Sequence, residues 1–210
     1  MRALPLLLVA FLLVGCGFGG ESAVEPSGSD GLTRYEISSG RFSIGVPETW
    51  HGTTSTQMQK ASFKRFANQN PAFAAYADVV GKKNSPFKFF AYDPVVRKRF
   101  ATNLNVIVTP VRESVTPEKY ERSALAEAKA IAVSKLDSTE VGLPAGKALR
   151  IEYRARFVIN GRKKAISMTQ YAFLLDKTSY VLTYTTLPAL RDEYADWFKL
   201  SAESFQLTSR

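Results

Sequence analysis

The stretch 148–186, ALRIEYRARFVINGRKKAISMTQYAFLLDKTSYVLTYTT, constrains the fold more than any other part of the chain. It is dense in β-branched and aromatic residues, and it is broken at Asn160-Gly161, a dipeptide that suits a tight hairpin turn because both residues tolerate positive φ. A three-strand antiparallel meander is expected. Its register has two solutions. A two-residue type I′ turn sets Tyr153 opposite Met168, whereas a three-residue loop with a bulge brings Tyr171, Phe173 and Leu175 onto the face of Ile151, Tyr153 and Phe157. The bulged register is preferred because it gathers the aromatics on one face.

Shorter β-like runs precede the meander. In RFSIGVP, Phe42, Ile44 and Val46 alternate with Arg41, Ser43 and Gly45, and Pro47 ends the run, placing His51 just past the first strand; RYEIS before it reads the same way. FKFFAYD and NLNVIVTP follow as strands, the second with Leu104, Val106 and Val108 alternating with Asn103, Asn105 and Ile107. Four helical segments are expected between and after the strands. Asn70-Pro71 caps one that closes at Gly81, carrying Phe73, Tyr76, Ala77 and Val80 at helical spacing, and the stretch 54–68 before it is read as helical too. Thr116-Pro117 starts a longer one reaching about Lys135, with Ala124, Leu125, Ala128, Ile131 and Ala132 as its buried stripe. The last runs from Pro188 to about Ser204 with Leu190, Tyr194, Trp197, Phe198 and Ser201 inward. This order of elements predicts an α+β sandwich with a largely antiparallel central sheet and helices packed on it.

The start of the chain has a different character. An uncharged apolar run follows Arg2 and ends at Cys16, the only cysteine, with glycines immediately after it. The run is too short to span a bilayer and has the plan of a secretory signal peptide. Leu13-Val14-Gly15-Cys16 resembles the bacterial lipobox at all four positions. The resemblance implies cleavage before Cys16 and attachment of lipid to its sulfur, with two or three acyl chains giving stable anchoring. The organisation expected is therefore a lipoprotein signal peptide over 1–15, a flexible Gly/Ser/acid-rich tether over 16–31, and one folded domain over 32–210.

Within that domain FSIGVPETW, ALRIEY, SYVLTYTT and a closing helix ending in SFQL resemble the PsbP-like α/β/α sandwich, and especially its small bacterial lipoprotein relatives. KFFAYDP and ATNLNVIVTP are similar to members seen in actinobacteria. The resemblance implies the fold, and a role as an extrinsic or adaptor-type binding protein. Its motifs are packing motifs, so it carries over no functional residue.

The chemistry of the chain points the same way. Hydrolytic catalysis by His51, the only histidine, requires a nucleophile and an orienting carboxylate, and no G-x-S-x-G or comparable signature is present. No catalytic residue, metal site or cofactor is assigned. Asp192, Glu193, Asp196 and Glu203 alternate with the apolar stripe of the last helix, as a solvated face does, and lack calcium-loop spacing. Charge is more informative. The chain is +9 overall, and most of the excess falls between His51 and Phe100. Lys60, Lys64, Lys82, Lys83, Arg97, Lys98 and Arg99 are the candidate anionic-surface residues there. Arg162, Lys163 and Lys164 crowd the hairpin tip, and Arg150, Arg154 and Arg156 line the strand before it around Glu152.

These readings predict a monomeric, non-enzymatic binding or assembly module, lipid-anchored at the extracytoplasmic side of the cell membrane. Its expected partners are another envelope protein, or anionic lipid or wall polymer, and not nucleic acid. The alternatives are a small envelope hydrolase or transferase using His51, and a lipid or hydrophobe carrier.

Overall fold

The computed structural model describes residues 24–25, 30–58, 86–159 and 162–208. In chain order the elements are β1 (Val24–Glu25), β2 (Leu32–Ile37), β3 (Phe42–Pro47), β4 (His51–Thr54), α1 (Ser55–Met58), β5 (Phe87–Tyr92) and β6 (Asn103–Pro110). There follow α2 (Pro117–Ile131), β7 (Asp137–Leu143), β8 (Gly146–Ile159), β9 (Arg162–Leu175), β10 (Thr178–Thr186), α3 (Arg191–Glu203) and β11 (Gln206–Leu207). The fold class is α+β, as expected. Every strand pairing is antiparallel, in a large sheet of order β4-β5-β6-β10-β9-β8-β7 and a small one of order β1-β2-β3-β11.

The large sheet is buried on both faces. One face carries Phe89, Leu104, Val106, Leu182, Tyr184, Tyr171 and Phe173, which pack against Phe42, Ile44 and Val46 of the small sheet and Tyr194, Phe198 and Phe205 at α3. The opposite face carries Leu149, Ile151, Tyr153, Ala155, Ile166 and Met168 beneath Ala128 of α2. A sheet covered twice has buried side chains at odd and even positions alike, which is why its central strand β10 is buried over most of its length.

That double burial decides the hairpin register. Ile159 pairs with Arg162 and Tyr153 with Met168, so the connection has two residues and the bulged register is not adopted. Tyr171 stands opposite Arg150, not on the face of Ile151 and Tyr153. The aromatics do gather, but on the face turned to the small sheet. The meander also has a fourth strand, β7, at its outer edge.

Two other boundaries shift for local reasons. Thr116 caps α2 by accepting the Lys119 amide at 3.3 Å, and Pro117 occupies the first turn where no amide is needed. The helix ends at Ile131, short of Lys135, because the chain is drawn onto the edge of β8. The Val133 amide donates to the Arg154 carbonyl at 2.7 Å, and the Arg154 amide donates to Ser134 Oγ at 2.9 Å. Ile131 is exposed in consequence, while Ala124 and Leu125 pack inward. His51 opens β4 in the large sheet instead of trailing the first strand. The capped helix expected over 70–81, and the expected helix 54–68 beyond α1, lie outside the described residues. Among the described residues no helix is long and apolar enough to cross a membrane.

Candidate functional site

The polar features converge at one end of the large sheet. Strand β10 ends at Thr186 opposite Ser167, but the β8–β9 pairing continues to Ile159 and Arg162, an overhang of about 16 Å. The β5–β6 connection, residues 93–102, lies against this overhang. Phe100 is buried beside Ile166 and Met168. The backbone of Arg97 and Phe100 exchanges two hydrogen bonds of 2.9 Å, closing a two-residue turn in which Lys98 and Arg99 have φ of 50° and 60°. Long cationic side chains are thus held in the left-handed region that glycine or asparagine usually fills.

Three side-chain contacts fix this loop. Lys164 donates from Nζ to the Lys98 carbonyl. Arg97 forms an ion pair with Glu193 in the first turn of α3, which raises the guanidinium pKa further. The Tyr194 hydroxyl donates to Asp93 Oδ2, while Asp93 Oδ1 accepts the Val95 amide at 2.8 Å. Burial, reinforced by the Asp93 carboxylate, pushes the Tyr194 phenol up to about 12.

The structure therefore joins two basic clusters that are distant in sequence: Arg97, Lys98 and Arg99 meet Arg162, Lys163 and Lys164. Cys16, Lys60, Lys64, Lys82 and Lys83 lie outside the described residues. The chain leaves β4 at Thr54 and re-enters β5 at Phe87, at the other end of the sheet from Arg97.

Beside the basic end is a polar cleft of about 280 Å³, lined by Ser134, Lys135 and Asp137, by Glu152, Tyr153 and Arg154 of β8, by Ser167 of β9 and by Arg191 of α3. Glu152 is its neutralised centre. Its carboxylate accepts from Arg191 at 2.9 Å and Thr169 at 3.4 Å, and pairs with Arg150 at 3.2 Å. The side chains of Lys135 and Arg154 make no ion pair among the described residues. The Ser134 hydroxyl is occupied by backbone on both sides, donating to the Lys135 carbonyl at 3.0 Å and accepting from the Arg154 amide. Such a cleft suits binding of a hydrogen-bonding or anionic group. Tyr153 is buried with its hydroxyl unpartnered among the described residues, and burial raises its pKa to about 12. Tyr153, Thr185 and Asn103 occupy one row across the sheet, and each contributes a buried polar atom without a hydrogen-bond partner among the described residues.

His51 stands at the opposite edge of the sheet from β7. It is exposed, with its ring 5.5 Å from that of Tyr92, and makes no hydrogen bond among the described residues. The acidic residues of α3 are dispersed: Glu193 pairs with Arg97, Glu203 with Lys199 at 3.6 Å, and Asp192 and Asp196 face solvent. No three His, Cys, Asp or Glu side chains come together among the described residues.

The sequence marks Arg150, Arg154, Glu152 and the hairpin-tip cations, but carries no signal that joins Lys135, Ser167 or Arg191 to them. Only the strand register and the short α2 bring these segments together.

Comparison with solved structures supports the fold. The solution structure of cyanobacterial PsbP (CyanoP) from Synechocystis sp. PCC 6803 is similar at a TM-score of 0.52 and 13% identity, covering 88% of this chain and 97% of that one. LpqN of Mycobacterium tuberculosis, described as involved in cell envelope biogenesis, is similar at a TM-score of 0.51 and 11% identity, covering 80% and 83%. The architecture is PsbP-like. No protein-family model and no curated protein matches the chain.

Proposed function

We propose that this protein is a lipid-anchored, extracytoplasmic binding module of the cell envelope, which engages its partner through the polar cleft between β7, β8 and the start of α3. The leader ending at Cys16 supports the anchor, and the likeness to LpqN agrees with an envelope setting. The observation that carries the binding role is the cleft itself. Four separated segments build it, Glu152 is neutralised between two arginines, and Lys135 and Arg154 stand beside it without an ion pair among the described residues. Two cations without an ion pair among the described residues, next to the Ser167 hydroxyl, are a recognition surface for an acidic or phosphorylated group.

The test is cross-linking in intact membranes followed by detergent solubilisation and co-purification, comparing wild type with Lys135→Ala/Arg154→Ala. Both positions are exposed, so the fold survives the change. Loss of a wild-type cross-linked partner in the double variant supports the cleft; an unchanged set of partners rejects it.

A further inference from the structure

The overhanging β8–β9 hairpin and the 93–102 loop share a composition that differs from the rest of the surface. Phe157 is 40% exposed and Val158 66%, and because neighbouring strand residues alternate, they project from opposite faces of the hairpin. On the loop Val95 and Val96 are 54% and 53% exposed. Around these four apolar side chains stand Lys98, Arg99, Arg156, Arg162, Lys163 and Lys164. Segments 94–109 and 153–168 contain no acidic residue at all. The nearby carboxylates of Asp93 and Glu193 are already engaged by Tyr194 and Arg97.

We infer that this end of the molecule is a docking surface for an anionic bilayer: the cations meet lipid phosphates while Val95, Val96, Phe157 and Val158 enter the headgroup boundary. An apolar tip ringed by cations, built from two segments without an acidic residue, has the charge and polarity of that interface. The geometry of the loop fits the role. Lys98 and Arg99 are held outward in a left-handed turn that local energetics disfavour, and Phe100, Arg97 and Lys164 fasten that turn to the sheet, to α3 and to the hairpin. Tether length adds a second argument. Val24 and Glu25 pair with Tyr35 and Arg34, so the chain from Cys16 to Val24 reaches at most about 28 Å when extended, and an anchored domain stays within contact range of the leaflet. Each facing cation multiplies binding about fivefold near an anionic surface. Four or five therefore suffice to orient a domain that the acyl chains already hold.

This inference rests on the lipid-anchored reading, and the experiment separates the two. Full-length lipidated protein is bound to vesicles of phosphatidylcholine alone, or of phosphatidylcholine and phosphatidylglycerol in equal parts, and amide hydrogen exchange is followed. Flotation with the neutral vesicles reports the anchor alone. Docking predicts that exchange over 95–100 and 156–159 slows several-fold on the anionic vesicles only. The protection disappears at about 1 M salt, where the Debye length shrinks to about 3 Å, and in Lys98→Glu/Lys163→Glu, whose melting curve matches wild type. Protein that floats with both vesicles but shows the same exchange on each overturns the docking surface and leaves the anchor standing. Protection that appears without vesicles, in concentrated protein or with an acidic protein partner, and is not increased by phosphatidylglycerol, also overturns it and assigns the hairpin edge to protein contact.

Discussion

One guanidinium nitrogen of Arg97 reaches both carboxylate oxygens of Glu193, at 2.8 Å and 2.7 Å. The pair is exposed, so its effect on global stability is small. Its consequence is local, because it ties the 93–102 loop to α3. In Glu193→Gln the thermal midpoint is expected to stay within a few degrees of wild type, while amide exchange over 94–100 accelerates clearly. Unchanged exchange in that segment would show that Phe100, Lys164 and the Tyr194–Asp93 bond hold the loop without it.

Phe205, just past α3, is completely buried and sits between the two sheets. Its ring lies 5.2 Å from Phe173, 5.4 Å from Phe42 and 5.5 Å from Tyr180. Truncation leaves a cavity that close-packed aromatics cannot collapse. Phe205→Ala is expected to lose about 3–5 kcal/mol in urea unfolding. A loss under about 1 kcal/mol would contradict the packing described between the sheets.

Tyr153 and Tyr194 both hold their phenolic protons up to about 12, whereas an unfolded tyrosine loses its proton near 10. Between those values the unfolded chain binds fewer protons than the folded one, so stability falls as pH rises. The contribution is complete below about pH 10 and gone by about pH 12. Urea unfolding on both sides of that window, with tyrosinate absorbance followed in the native baseline, is the check. Early ionisation of all tyrosines in the folded protein would refute the burial of these two.

The contrast between what the chain announces and what it conceals has a physical basis. The closing helix is legible because Tyr194, Phe198 and Ser201 repeat at its period and are all buried. Thr116-Pro117 marks the start of α2 because capping is a local interaction. The β8–β9 register is not legible in the same way. Apolar residues occupy both faces of these strands, so alternation does not say which face is the core, and a preference for grouping aromatics selects the wrong pairing. Packing of the small sheet over Tyr171 and Phe173, a contact between distant segments, decides it. The cleft is hidden for the same reason. Glu152 and Arg154 can be noticed on one polar strand face, but Lys135 reaches them only because Ser134 bonds to the edge of β8, and Arg191 only because α3 begins where it does.

The central claim is that the domain works from a lipid anchor at Cys16. Metabolic labelling with a clickable fatty-acid analogue, in cells expressing wild type or Cys16→Ser, tests it most directly. The account predicts a labelled wild-type protein in the membrane fraction, and a Cys16→Ser protein that carries no label and accumulates as uncleaved precursor or soluble species. Equal labelling of the two, or an unlabelled wild type, would contradict it.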